Sequence, residues 1–253
     1  MTVTFLGTGT SQGIPVIACN CHVCTSMDYK DKRLRSSIHI NIKDNHFNID
    51  VGPDFRQQML TNKIVKMDAI LLTHEHKDHT AGLDDVRSFN FIQGKDMPLY
   101  GRQEVLNQIS REFSYIFSDH KYPGIPQVER IPITNKPFNI NGIKITPIEV
   151  MHYKLPVFGF RVNDFAYITD ANLISEKEKN KLNNVKVLVL NALQIEKHIS
   201  HFTLSEALEL ISELKPEKAY LTHISHKLGH ARDIESTLPE NVTIAYDGLK
   251  INI

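Results

Sequence analysis

The chain has 253 residues, 41% hydrophobic and 23% charged, and a chain of this size buries about 70–75% of the surface its unfolded form exposes. That balance excludes a disordered tail, a collagen-like chain and a repeat-biased linker, and no apolar run approaches the ~20 residues of a membrane span. Lys+Arg and Asp+Glu both number 29, so net charge argues against a general nucleic-acid binder.

Taken from the N-terminus, MTVTFLGTGTSQGIP gives a strand over residues 3–6 and a glycine-rich turn. It lacks the basic start and unbroken apolar stretch of a secretory signal, so a cytoplasmic location is expected. The Gly7-Thr8-Gly9-Thr10-Ser11 turn has neither the lysine of a P-loop nor the spacing of a dinucleotide fingerprint, and a close-packed turn is expected there. All three cysteines follow within six residues, at Cys19, Cys21 and Cys24. An odd, tight set cannot make a disulfide framework and reads as a metal site, three small buried hydrophobes being the plainer alternative.

Strands are predicted over 38–42 and 47–50, around a turn signal at Asp44-Asn45, and then over 69–72. Residues 111–127, with Phe113, Tyr115, Phe117 and Tyr122, admit a substrate lid, a homodimer contact or buried packing. Further strands are predicted over 143–150, 158–162, 165–169, 185–190 and 219–221, with hairpin signals at Asn141-Gly142, Asn163-Asp164 and Asp247-Gly248. A helix starts at Thr203, where Thr203 and Glu206 spell a capping box and Leu204, Ala207, Leu208, Ile211 and Leu214 line one face. Strands alternating with helices, without linker, charge block or repeat, predict an α/β (α+β) sandwich in one domain over residues 1–253.

The densest chemistry lies at the end of the 69–72 strand, in Thr73-His74-Glu75-His76-Lys77-Asp78-His79. Three imidazoles and one metal-competent carboxylate, Asp78, in the six residues from His74 to His79, on a loop leaving a strand, form an N/O donor set that borderline divalent ions prefer. Tyr167-Ile168-Thr169-Asp170 and Tyr220-Leu221-Thr222-His223 repeat the same spelling as Leu71-Leu72-Thr73-His74, and His152 closes another strand without the threonine. Strand ends at one edge of a sandwich can converge, so one loop could serve two metals.

These residues resemble the metallo-β-lactamase-fold hydrolases, whose signature is HxHxDH followed by a distant His, Asp and His. The resemblance runs from the Gly7 turn through Asp50-Val51-Gly52 to His223. It implies a four-layer αββα sandwich, one metal held by His74, His76 and His152, a second by Asp78, His79 and His223, and Asp170 bridging both. Asp50 matches a carboxylate that orients the ligands without binding metal. The Cys19-Asn20-Cys21-His22-Val23-Cys24 cluster is similar to that of the phosphoribosyl 1,2-cyclic phosphate phosphodiesterase (PhnP-type) branch, which implies a structural zinc on Cys19, Cys21, Cys24 and a distant histidine. His226 matches that histidine, and His22 and His230 stay open as rivals.

The implied activity is metal-dependent hydrolysis of a small cyclic or linear phosphodiester, such as a phosphoribosyl cyclic phosphate, by a hydroxide activated between two divalent ions, Zn or Mn. Asp78 and His201 are the catalytic candidates, His201 as the acid that protonates the departing alkoxide; a surface histidine preceding a helix is the plainer reading of His201. The rival enzymes are the tRNA 3′-end endonucleases, whose long arm has no room between residues 162 and 165, and a pyrroloquinoline quinone biosynthesis protein, whose metal motif tends to be altered. A secreted β-lactamase would need an export signal. A non-catalytic metal-binding scaffold is the remaining alternative.

Overall fold

A computed structural model describes residues 1–118 and 123–253 of the chain. Strands β1 (Thr2–Gly7), β2 (Ser37–Ile42), β3 (Asn45–Ile49), β4 (Ala69–Leu71), β5 (Met97–Gly101) and β6 (Val128–Pro132) build a first sheet. A second contains β7 (Phe138–Ile140), β8 (Ile143–His152), β9 (Leu155–Val162), β10 (Phe165–Ile168), β11 (Val187–Asn191), β12 (Lys218–Thr222) and β13 (Val242–Ile244). Strand β14 (Lys250–Asn252) then returns to the edge of the first, beside β1. Among the described residues the orders are β14-β1-β2-β3-β4-β5-β6 and β13-β12-β11-β10-β9-β8-β7.

Alternation along the strands explains the inner layer. Val3, Phe5, Ile38, Ile40, Phe47 and Ile49 meet Ile145, Phe158, Phe160, Phe165 and Tyr167 between the sheets. Helices α1 (Phe55–Asn62), α2 (Lys77–Thr80), α3 (Arg87–Gln93), α4 (Gln103–Glu112) and α5 (Ser114–Phe117) lie along the first half of the chain. Phe55, Met59, Phe89, Val105, Leu106 and Ile109 from this set cover Leu6, Ile70, Leu72 and Leu99. The second sheet's outer face is covered chiefly by α7 (Leu204–Leu214), with α6 (Glu176–Lys179) before it and α8 (Ala231–Glu235) after it. The result is the αββα sandwich that the motif resemblance implies, a metallo-β-lactamase fold. No helix among the described residues is long and apolar enough to cross a membrane.

Strand direction decides where the site can form. Strands β3 to β6 run parallel, as do β10 to β13, and β8 is antiparallel to β9, which is antiparallel to β10. The C-terminal ends of β8, β10 and β12 therefore share one edge of the second sheet, and those of β3 and β4 share one edge of the first. Strand C-termini at such an edge are where α/β sheets place ligands.

Several local expectations shift. The turn between β2 and β3 is Lys43-Asp44, both at positive φ (49° and 61°), one residue earlier than Asp44-Asn45, because Asn45 pairs with Ile42 in the ladder. Asn141-Gly142 and Asn163-Asp164 close hairpins as expected. Asp247-Gly248 does not; it passes the chain from the second sheet to the first, Gly248 taking a φ of 88°. In α7 the capping box forms, but the buried face is Leu204, Ala207, Leu210 and Ile211, with Leu208 and Leu214 only half-buried. Phe113 and Phe117 pack against the outer core of the first sheet, Tyr115 is exposed and donates to Asp84, and Tyr122 lies outside the described residues.

Candidate metal centres

The loop after β4 delivers His74 and His76, and α2, entered at His76, carries Asp78 and His79. His152 closes β8, Asp170 follows Thr169 beyond β10, and His223 follows β12. Two ligand groups form across the gap between the sheets, one of His74, His76 and His152 and one of Asp78, His79, Asp170 and His223; within each, the ligand atoms lie within 4.8 Å of one another. Asp170 also falls within that distance of His152 and His201, so its carboxylate faces both groups. Asp170 and His223 turn through left-handed backbone, with φ of 54° and 56°, a conformation that non-glycine residues hold at functional sites when the surroundings enforce it.

Four of the imidazoles, those of His74, His79, His152 and His223, hold Nδ1 on a protein partner outside the two ligand groups. His79 Nδ1–H donates to Asp50 Oδ2 (2.7 Å), His152 Nδ1–H to the Ser200 carbonyl (2.9 Å), and His223 Nδ1–H to Ser36 Oγ (3.1 Å), which donates onward to the Gly9 carbonyl (2.9 Å). Thr73 Oγ1 gives its proton to Asp50 and so accepts from His74 Nδ1–H at 2.9 Å. Such outer partners fix the tautomer and aim the free nitrogen. Thr73 was marked in the sequence by its repeated place before a ligand; Ser36 and Ser200 carried no signal there.

His79 Nε2 is fully buried and lies 3.1 Å from Asp78 Oδ2 and 3.2 Å from Asp170 Oδ2, yet it makes no hydrogen bond among the described residues. Burial alone would push this imidazole down, but the carboxylates of Asp78, Asp170 and Asp50 outweigh it and hold it well above the ordinary histidine range. Burial holds His74 well below that range and brings His223 to about 3, so both present lone pairs. Neutral imidazoles and ionised carboxylates around an orphaned nitrogen are the donor set that divalent metals take.

The loop Asp50-Val51-Gly52 clasps α2 from behind, Val51 N–H donating to the His79 carbonyl (2.8 Å) and Gly82 N–H to the Val51 carbonyl (2.9 Å). A Cβ on Gly52 would sit 2.0 Å from the Asp78 carbonyl oxygen, and one on Gly82 2.1 Å from the Gly52 carbonyl oxygen. Gly52→Ala is therefore expected to displace Asp78 and His79 and to lower metal content at near-native secondary structure. Elemental analysis with circular dichroism checks this, and a variant with wild-type metal content would contradict it.

His201 is buried, with Nε2 3.1 Å from Asp170 Oδ1 and its ring stacked on His223 (centroids 5.0 Å, 11°). Its Nδ1 faces Ser200 Oγ (3.0 Å) and His198 Nδ1 (3.2 Å). It is thus no surface histidine. The glycine-rich turn is close-packed, as expected, and brings Thr10 Oγ1 to 3.3 Å from His223 Nε2.

A third cluster lies beside this edge. Cys19, Cys21 and Cys24 place their Sγ atoms 3.3, 3.3 and 3.4 Å from His226 Nδ1. His22 and His230, the rivals, instead pair with each other (3.0 Å), and His230 Nδ1 meets Asp31 Oδ2 at 2.9 Å. The Cys24 amide, bonded to Cys21 Sγ, lowers that thiol to about 6, while burial raises Cys24 to about 11. Three sulfurs and one imidazole leave no open ligand position, the composition of a structural zinc site. The clip joins the loop after β1 to the segment that carries His223, where Thr10 N–H donates to the Ile224 carbonyl. Cys21→Ala is expected to lower the melting temperature of the metal-loaded chain by about 5–10 °C, at roughly 2–4 °C per kcal/mol for a domain of this size; an unchanged melt would exclude a structural metal.

Residues 45–224 match the beta-lactamase superfamily domain. Over the whole chain and 97% of the other, the structure is similar to the crystal structure of a new diphosphatase from the PhnP family, with 38% identity and a TM-score of 0.93. An octanoyltransferase of Porphyromonas gingivalis is 36% identical over 99% of this chain but 51% of its own length. A ribonuclease Z of Staphylococcus epidermidis is 29% identical over 64% of this chain and 49% of its own. The chain thus spans about half the length of these curated relatives.

Proposed function

The chain belongs to the beta-lactamase superfamily, and we propose that it is a metal-dependent hydrolase acting on small molecules at a phosphorus centre with two ester or anhydride substituents, using two divalent ions. Cyclic and linear phosphodiesters, phosphoribosyl cyclic phosphates among them, and substituted diphosphates make up this class. The observation that carries the reading is the meeting of Asp78, His79, Asp170 and His223 around one buried nitrogen that makes no hydrogen bond among the described residues, with His74, His76 and His152 alongside. The 38% identical diphosphatase supports the phosphorus chemistry.

His74, His76 and His152 would hold one ion and Asp78, His79 and His223 the other, with Asp170 shared. Divalent ions in such a pair lower the pKa of water and offset charge on the phosphoryl oxygens. The protein's own work is to keep the ligands in place: Asp50 orients His79, Ser36 orients His223, and the Ser200 carbonyl orients His152. His201 holds a proton at Nε2 for the departing oxygen, within reach of the same edge. A structural zinc on Cys19, Cys21, Cys24 and His226 would brace that edge.

Octanoyl transfer, named for a relative twice as long, finds no support at this site, where imidazoles and carboxylates converge and all three thiols surround His226. The deciding experiment supplies bis(p-nitrophenyl) phosphate and a panel of cyclic phosphodiesters and substituted diphosphates to chain loaded with Zn²⁺ or Mn²⁺. Turnover of at least one substrate, with three ions per chain by elemental analysis, is expected. Full occupancy without turnover would favour a metal-binding scaffold, and a ceiling of one ion would remove the paired-ion chemistry.

A further inference from the structure

Behind the metal ligands, the outer face of β2 and β3 carries an unusual run of side chains. Ile38 and Ile40 on β2 and Phe47 and Ile49 on β3 point into the layer between the sheets. Their neighbours in alternation, Ser37, His39 and Asn48, point the other way and are as buried as the core, at 0%, 3% and 0% exposure. The adjoining strands fill that outer layer with Ile70 and Leu99. Polar groups there cost stability unless every donor and acceptor is met, and a fully satisfied network holds its members in one arrangement.

Here the network is satisfied, and it ends on Asp50. Asn48 Nδ2 donates to the Asp50 carbonyl (3.1 Å) and to Ser37 Oγ (3.3 Å), and the Ser37 hydroxyl donates between the Ile49 and Asp50 carbonyls (2.9 Å to each). With its amide nitrogen so engaged, Asn48 must offer Oδ1 to its cross-strand partner His39, whose Nδ1–H donates to it at 3.1 Å. Burial keeps His39 neutral, bringing it to about 4, so its Nε2 accepts from His46 Nδ1–H at 3.0 Å. One direction of donation therefore runs from His46 through His39 and Asn48 to the Asp50 peptide.

Asp50 needs such a hold because its φ is 65°, left-handed backbone that a non-glycine residue keeps only under constraint. In that conformation its carboxylate accepts from His79 Nδ1–H and from both Thr73 donors, and its N–H reaches the Leu71 carbonyl. Relaxation of this one residue would swing the carboxylate away from His79.

We propose that Asn48, and behind it His39, are positioning residues for the metal centre, locking the Asp50 backbone so that its carboxylate aims His79. The inference rests on the reading of His79 as a metal ligand. The holoprotein and its variants are challenged with excess chelator, and the rate of metal release is followed beside the melting temperature and kcat.

Loss of an outer-shell partner weakens metal binding about 10–100-fold, and His39 stands two contacts behind that partner, so His39→Leu is expected to speed release by about 10-fold, the low end of that range, and to lower kcat more than it changes KM. His39→Gln, which can still donate to Asn48, should restore slow release. Ile40→Ala, in the inner layer one residue away, should lower the melting temperature with release unchanged. Wild-type release in His39→Leu, or release that follows melting temperature alike in His39→Leu and Ile40→Ala, overturns the proposal. Should His39→Leu fail to fold, Asn48→Ser, which loses the amide donor, takes its place: faster release than in Ile40→Ala supports the proposal and wild-type release overturns it. A wild-type chain without chelator-releasable ions sinks this inference and the site reading together, whereas intact wild-type binding with an unaffected variant sinks this inference alone.

Discussion

Asp170→Ala is expected to lower kcat/KM on any substrate of the chain by more than about 10³-fold, beyond what removal of one transition-state-stabilising donor usually costs. The reason is position. Oδ1 lies 3.2 Å from His223 Nε2 and 3.1 Å from His201 Nε2, Oδ2 lies 3.2 Å from His79 Nε2, and the carboxylate also faces His152. It is buried and held well below the usual carboxylate range, burial being outweighed by the neighbouring imidazoles of His223 and His79. Without it both proposed ion sites would lose a ligand, and three imidazoles would lose the anion they share. Elemental analysis should show the loss of at least one ion with the ion at Cys19, Cys21 and Cys24 retained. An Asp170→Ala protein that kept three ions and measurable turnover would remove the shared carboxylate from the mechanism.

The second large effect belongs to His201, and it depends on the leaving group. General acid catalysis contributes about 10²–10⁴-fold, so His201→Ala should lose that much on substrates that release an alkoxide. A p-nitrophenolate leaves without a proton, and with bis(p-nitrophenyl) phosphate the variant should stay within about threefold of wild type. Comparing kcat for the two substrate types under saturating metal makes the measurement. Because His201 also lies within ligand distance of Asp170 and His152, equal loss on both substrates together with a lower ion count would reassign it from acid to metal ligand.

The recurrent Thr-ligand spelling at strand ends was legible because it depends on local order: an apolar strand, a threonine, then a donor. Two of the threonines hydrogen-bond to candidate site residues, Thr73 to Asp50 and His74, and Thr169 to Asp170 at 2.6 Å. The capping box at Thr203 was readable for the same reason, as both partners lie within four residues. The turn at Lys43-Asp44 was misplaced by one residue because register is set by pairing with the partner strand, which no dipeptide reports. Asp247-Gly248 looked like a hairpin, yet its flanking strands belong to different sheets. Strands β5, β6, β7, β13 and β14 lie outside the predicted set, and β5 and β6 carry Pro98 and Pro132, residues that argue against a strand.

From sequence alone came the donor types, the clustering of the thiols and the succession of strands and helices, since these follow from side-chain chemistry and short-range periodicity. Tertiary structure decided which imidazole joins the thiols, that His201 is buried against Asp170 rather than exposed before a helix, and that Ser36, Ser200 and Asn48 hydrogen-bond to His223, His152 and the Asp50 peptide. Those contacts join residues up to 207 positions apart. They exist because parallel strands bring their C-terminal ends to one edge, a consequence of how the two sheets pair and pack.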